Sequence, residues 1–229
     1  MGLAWADDQW WPLNVTPSLV ELDLDEALSP LKGKNIALVG NSSIPKRNAQ
    51  WIDETDIVIR MNKGTPTRAT ECRGTKMDIL TCGNIHPFNE VLPAGPLPTL
   101  WWFKYTFAGA KQIHQLAEWI KQDGRGDTQF FGFTQEMEVS LVRKLKHMNH
   151  RQRIMPSTGL RLLDLLTNKS KCKSITTYGM NFWGLDGGNA ISWTSGKSAH
   201  QHHSPKAEFA LFKKMGFQRQ QEGQWFKRM

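Results

Sequence analysis

Cysteine is scarce: Cys72, Cys82 and Cys172 are the three in a chain of 229 residues. They are too few and too widely spaced for a disulfide framework or for the paired spacing of a zinc site, and they suit a reducing compartment. Long apolar runs are missing as well. No window approaches the roughly eighteen consecutive apolar residues of a membrane span. The opening residues, MGLAWADDQWWPLN, carry neither the basic region nor the apolar core of a secretory signal. The expectation is a soluble, cytoplasmic globular protein. Internal repeats are absent. So is a GxGxxG turn, which counts against a dinucleotide site. From residue 35 onward no Asp-x-Asp stands at a strand end. The tripeptide Asp23-Leu24-Asp25 precedes the first predicted strand, within a short helix or turn, and reads as a solvated face rather than a metal site.

Basic residues are plentiful but form no single long run: 29 Lys and Arg stand against 21 Asp and Glu, a net charge of +8. That balance favours anionic partners, whether nucleic acid, an anionic membrane surface or small molecules bearing phosphate or carboxylate. Arg143, Lys144, Lys146, His147, His150, Arg151 and Arg153 come nearest to a cluster. They read first as a solvated helix face and second as a face for an acceptor or a membrane, with nucleic acid last. The ten tryptophans are scattered without a base-stacking rhythm and are assigned to core and groove walls.

Residues 1–33 read as a lead-in segment and 34–229 as a single folded domain. Apolar runs at 35–39, 57–60, 77–81, 100–103, 128–131 and 174–178 have the length and composition of buried strands. Helical periodicity is clearest at 109–122, 136–149 and 158–168. Strands alternating with helices of that length predict an α/β fold, a mostly parallel sheet with helices on both faces. The Pro-rich stretch 93–98 reads as a loop. Residues 183–200, rich in Gly, Ser and Asn, read as a lid or binding loop.

The candidate chemistry lies where predicted strands and helices begin or end. Leu38-Val39-Gly40-Asn41-Ser42-Ser43 follows the first strand of the regular pattern, and ligands of an open parallel sheet sit beyond such carboxyl ends. The next strand closes on Arg60-Met61-Asn62, and Asn can both donate to and accept from a base or ribose. Arg73-Gly74-Thr75-Lys76 reads as a turn into the third strand. Pro156-Ser157-Thr158-Gly159 opens a helix, and a helix start is suited both to hydroxyl capping and to an anion. His200-Gln201-His202-His203-Ser204-Pro205 places His203 just before a helix, with Ser204 at the cap position and Pro205 first in the helix. Glu208 lies one turn on, placed to reach back to the imidazole. The histidines lack Cys or carboxylate partners at ligand spacing, so a general base is preferred over a metal.

In this order the motifs resemble the sialyltransferases of glycosyltransferase family 29. That family's long motif has counterparts in Val39-Gly40-Asn41-Ser42, Ile59-Arg60-Met61-Asn62 and Arg73-Gly74-Thr75-Lys76. Its short motif matches Pro156-Ser157-Thr158-Gly159, Cys172 and Tyr178-Gly179, and its H-x4-E motif matches His203 and Glu208. Where the family has a disulfide-forming Cys at the start of the long motif, this chain has Ile36, in keeping with a cytoplasmic, bacterial-type version. The family's separate His-rich motif has no counterpart near 186–189, which leaves the donor phosphate to His200 or His202.

The resemblance implies a glycosyltransferase-A-like, Rossmann-like fold and inverting transfer from CMP-sialic acid to a glycan or glycolipid hydroxyl. Neither metal nor cofactor is expected: a single phosphate on the leaving CMP is within the reach of hydrogen-bond donors and a helix dipole. Asn41, Ser42, Asn62, Ser157, Thr158, Gly159, Tyr178, Gly179, His200 and His202 are expected on the donor side, with His203 as base and Glu208 orienting it or its helix. CMP-Kdo is the rival donor, because both sugars are 2-keto acids. A non-catalytic nucleotide- or glycan-binding protein on the same scaffold is the rival class. An anionic membrane surface is a possible peripheral partner, and nucleic acid is not expected.

Overall fold

The computed structural model describes residues 19–42, 44–62, 70–82, 98–102, 128–146, 156–180, 203–221 and 224–229, together with 115, 117, 118, 120 and 122. Nine strands form one sheet in the order β1-β6-β5-β4-β3-β2-β7-β9-β8. They are β1 (Leu19–Glu21), β2 (Asn35–Val39), β3 (Ile57–Met61), β4 (Ile79–Cys82), β5 (Thr99–Trp102), β6 (Thr128–Gly132), β7 (Ser174–Tyr178), β8 (Gln218–Gln221) and β9 (Gln224–Arg228). The first seven are mutually parallel, whereas β9 pairs antiparallel with both β7 and β8. The helices are α1 (Leu24–Leu28), α2 (Asn48–Asp53), α3 (Thr70–Arg73), α4 (Gln135–Lys146), α5 (Thr158–Lys169) and α6 (Pro205–Lys214).

Strands buried on both faces should be almost uninterruptedly apolar. In β2, Ile36, Ala37, Leu38 and Val39 are all buried. Alternation then divides them between two clusters. Ile36 and Leu38 join Ile59, Met61 and Trp101 on one face, under Ala27 and Leu28 of α1 and Leu162, Leu163 and Leu166 of α5. Ala37, Val39 and Val58 face the other way, against Ile52 of α2 and Ile44. Helices therefore cover both faces, as the sequence pattern predicts. A third cluster, of Leu141, Leu145, Leu160, Ala207 and Leu211, joins α4, α5 and α6.

The elements β2, β3, β4, β5 and β6 step outward in one direction. The chain then returns through α4 and α5 to place β7 on the other side of β2. This reversal makes the carboxyl ends of β2 and β7 the switch point, where the connections diverge and leave a crevice. Two glycines shape it. Pairing continues past the strands, with Gly40 N–H donating to Tyr178 O (2.7 Å) and Ser42 N–H to Gly179 O (3.0 Å). A Cβ on Gly40 would collide with the Gly179 carbonyl, and Gly179 has φ +65 with its Cβ position 2.7 Å from Ser42 O.

Some boundaries differ from the sequence reading. The strand expected at 77–81 is Ile79–Cys82, and Asp78, just before it, accepts the Val58 N–H through its side chain at 2.7 Å. Of the expected lead-in 1–33, residues 19–31 supply β1 and α1 to the sheet and core. The described residues between 115 and 122 are helical, with Ala117 and Ile120 buried. The loop at 183–200 lies outside the described residues, as do 93–97 of the Pro-rich stretch and 147–153 of the basic cluster.

Gly179→Ala should lower stability by roughly 1–3 kcal/mol, combining a left-handed backbone with a clash against fixed backbone. Gly216→Ala is the comparison, since Gly216 has φ +83 but open space around it. Urea midpoints should drop further for Gly179→Ala; equal drops would mean that the β2–β7 approach adds nothing.

Candidate functional site

Val39 and Asn41 lead out of β2 into a loop held from beneath by a buried guanidinium. Arg73 donates from Nη1 to Gly40 O (2.7 Å) and from Nη2 to Ser42 O (2.8 Å). Arg60 in turn donates to the carbonyls of Arg73 and Lys76, each at 2.8 Å. Both arginines are almost fully buried, and burial pulls each down to about 10, so both keep their charge at neutral pH. The Arg73-Gly74-Thr75-Lys76 turn is itself fixed by Asp53, whose carboxylate accepts the N–H groups of Thr75 and Lys76 at 2.8–2.9 Å. Arg73 thus sets a buried positive charge directly beneath the loop at the mouth of the crevice, whereas the charge of Arg60 is met in part by Asp53 and Asp78.

Around that mouth stand Asn41, Asn62 and Gly159 of the predicted donor-side residues. The Asn41 Oδ1 is buried and has no hydrogen-bond partner among the described residues. An unmet buried acceptor is costly, and a ligand donor would relieve it. Asn62 follows β3 with φ +49, and its N–H extends the ladder to Thr81 O (2.7 Å). Asn tolerates this left-handed geometry better than most residues, a backbone reason for its presence alongside any recognition role. Gly159, in the first turn of α5, packs against the carboxyl ends of the sheet: a Cβ there would lie 2.8 Å from Met180 Cε and 3.4 Å from Met61 Sδ. The N-terminus of α5 therefore points its dipole at the same edge.

Ser157 caps α5, its Oγ accepting the Leu160 N–H at 3.2 Å. Its own hydroxyl proton goes to Glu208 Oε2 (2.5 Å), and its N–H goes to Glu208 Oε1 (3.0 Å). One side chain of α6 thereby fixes the start of α5. His203 lies just before α6, with Nδ1 3.7 Å from Glu208 Oε1, longer than a hydrogen bond but within ion-pair range. Glu208 is fully buried, and desolvation drives its carboxyl up to about 7 against the lowering effect of the Ser157 bonds and the Arg161 charge. Pro205 is first in α6 as expected, but the Ser204 side chain makes no capping bond.

Predicted residues are thus drawn into two neighbouring groups, the β2–β3–β7 edge and the Ser157–Glu208–His203 junction. Tyr178 differs from the rest in that its ring packs inward with Val39, Ile44 and Ile52. His200 and His202 lie outside the described residues. Asp23 and Asp25 belong to α1, where Asp23 and Glu26 form a reciprocal capping box. Among the described residues, no group of three or more His, Cys, Asp or Glu is placed to hold a metal. Sequence reasoning missed the clamping role of Arg73, and it missed the buried pair Glu138–Arg161. No local signal marks either, because their partners lie 23 to 33 residues away.

No family model and no curated protein matches this chain. Among solved structures, it is similar to a mammalian sialyltransferase in complex with Gal-beta-1-3GalNAc-ortho-nitrophenol, with TM-score 0.52 and 14% identity, over 80% of this chain and 66% of that one. It is also similar to a second mammalian sialyltransferase structure, with TM-score 0.54 and 13% identity, over 91% of this chain and 80% of that one. The chain spans about two thirds of the length of the first. At this identity the likeness establishes the fold: a sialyltransferase-like, glycosyltransferase-A-like α/β domain.

Because the carboxyl of Glu208 is raised in the folded protein to about 7, the native state holds a proton there that the unfolded chain releases near its usual 4.5. The stability from this group is complete below that lower value and is lost as the pH rises through about 7. Wild-type protein should therefore lose stability between pH 5 and pH 8 relative to Glu208→Gln in paired urea titrations. Parallel pH profiles would show that Glu208 ionises normally in its buried setting.

Proposed function

We propose that the protein is an inverting, metal-independent glycosyltransferase that moves sialic acid from CMP-sialic acid to a hydroxyl of a glycan or glycolipid. The observation that carries this reading is the junction at Glu208, which links an imidazole at a loop end to a helix start facing the switch-point crevice. On this reading Asn41 and Asn62 meet the nucleoside, with the Asn41 Oδ1 taking a donor from it. The first-turn N–H groups of Thr158 and Gly159 meet the phosphate, as N–H groups without intrahelical partners can. Ser157 acts at one remove, holding the helix start through Glu208, and Gly179 allows the close backbone approach that shapes the floor. Ser42 contributes backbone to the same floor.

In the transfer, the ring nitrogen of His203 turned away from Glu208 takes the proton from the acceptor hydroxyl. The acceptor oxygen forms its bond to the anomeric carbon while the carbon–oxygen bond to the CMP phosphate breaks on the opposite face, which inverts the centre. The leaving phosphate carries the departing electron pair toward the α5 N-terminus and the Arg73-supported loop. Glu208 stabilises the imidazolium so formed. Three free thiols fit a cytoplasmic setting, and the +8 charge fits work on a glycolipid at an anionic membrane surface. No helix among the described residues is long and apolar enough to cross a membrane.

Incubation with CMP-sialic acid or CMP-Kdo, with CMP release followed in EDTA, tests the reading and chooses the donor. Release from CMP-sialic acid should survive chelation. His203→Ala should lower turnover by roughly 10²–10⁴-fold with CMP affinity nearly unchanged, the usual share of a positioned base. Release from CMP-Kdo alone would change the donor. CMP binding without turnover of either sugar would make the protein a non-catalytic nucleotide binder, and full dependence on Mg²⁺ or Mn²⁺ would refute the mechanism.

A further inference from the structure

Beside the Glu208 junction lies a second buried charge pair that the transfer chemistry does not use. Arg161 of α5 donates from Nε and Nη2 to the two carboxylate oxygens of Glu138 on α4, both at 2.6 Å. Glu138 is 2% exposed and Arg161 7%. The Arg161 N–H donates to Ser157 O at 3.0 Å, so Arg161 lies one turn from Ser157 on the same face of α5. That face meets α6, where Glu208 holds Ser157, and the leucines of α4, α5 and α6 close the junction with apolar surface.

Among the described residues, the charged groups gathered here are Glu138 from α4, Arg161 from α5, Glu208 from α6 and His203 just before α6. Lys144 and Asp164 form a separate pair at 2.7 Å farther along α4 and α5, with the lysine 40% exposed. Once Glu208 is ionised, as the pH rises through about 7, two carboxylates against one guanidinium leave one negative charge, which a proton on His203 balances. The fork of Arg161 is given to Glu138, bidentate and charge-assisted, the strongest arrangement open to it. The carboxylate left to serve the imidazole is Glu208.

We propose that Glu138 and Arg161 are positioning residues for the Glu208–His203 pair: Glu138 occupies the guanidinium, so that the charge of Glu208 is available to the imidazolium formed when His203 takes a proton. The inference rests on the reading of His203 as the base. In accord with it, Arg161 pulls the Glu208 carboxyl down and Glu138 pushes it up, on top of the larger effect of burial.

The test is an NMR titration of the His203 ring in the whole protein, its signal assigned by loss in His203→Ala, with no donor required. Arg161→Met should move the His203 titration up by about one pH unit, and Glu138→Gln should move it down by a similar amount. Glu208→Gln should also move it down. That variant leaves no orphaned charge in the junction and decides the matter if the other two do not fold. If Arg161 neutralised Glu208 instead, Glu208→Gln would leave His203 unmoved, and the proposal would be overturned. Equal or same-direction shifts in Arg161→Met and Glu138→Gln would overturn it as well. A sugar-transfer assay run alongside separates the two readings. Titrations that move as expected in a protein without transfer activity would sink the transferase reading and leave the charge coupling standing. A transferring protein whose His203 ignores all three substitutions would sink the coupling alone.

Discussion

Glu208 gives both of its carboxylate oxygens to a single residue, Ser157, accepting from its backbone and its hydroxyl at once. Through that contact the first turn of α6 sets where α5 begins, and α5 in turn aims its N-terminus at the carboxyl edge of the sheet. The residues involved are 51 apart in sequence, so the contact is a tertiary constraint and not a local cap. Its cost is the burial of a carboxyl group in a junction lined by leucines, which raises its proton affinity. A group held in that state responds to the charge of its neighbours. Arg161 and Glu138 act on Glu208 in opposite directions, and His203 lies 3.7 Å from it on the other side, the geometry on which the proposed coupling rests.

The other half of the site depends on backbone more than on side chains. Gly40 and Gly179 let the exits of β2 and β7 touch, and the buried fork of Arg73 gathers the carbonyls of Gly40 and Ser42 from below. The loop therefore presents Asn41 from a rigid base whose nearest charges are positive. An anionic group suits this arrangement, since the Arg73 guanidinium and the α5 dipole act on the same edge. Through the carbonyls of Gly40 and Ser42, Arg73 shapes the loop and adds positive charge beneath it.

Much of this was legible in the sequence, for identifiable reasons. The strands β2 and β7 were read with their true limits because parallel strands buried on both faces are short apolar runs, and turns bound them. Pro156-Ser157-Thr158-Gly159 and His203-Ser204-Pro205 announced helix starts through local chemistry that holds in any fold. The edge strands escaped for the opposite reason. β8 is Gln-Arg-Gln-Gln and β1 only three residues, so neither carries a periodic apolar signal. The asparagine at position 62 looked like a recognition residue, and the structure adds a backbone demand, φ +49, that sequence cannot display. Arg73 read as part of a turn because the carbonyls it clamps lie more than thirty residues upstream. Arg161 and Glu138 looked like ordinary helix charges, since nothing in two separate helical patterns says that one fork will meet one carboxylate.

The central claim is that a CMP-sugar sits at the switch point between β2 and β7, against the start of α5. Backbone amide shifts recorded by NMR during a CMP titration test it most directly. The account predicts that Gly40, Asn41, Ser42, Asn62, Thr158, Gly159 and Gly179 move together along one saturation curve, while β1 and the β8–β9 hairpin stay still. Saturable shifts confined to the hairpin or to the β1 edge, with the switch-point amides unmoved, would contradict it.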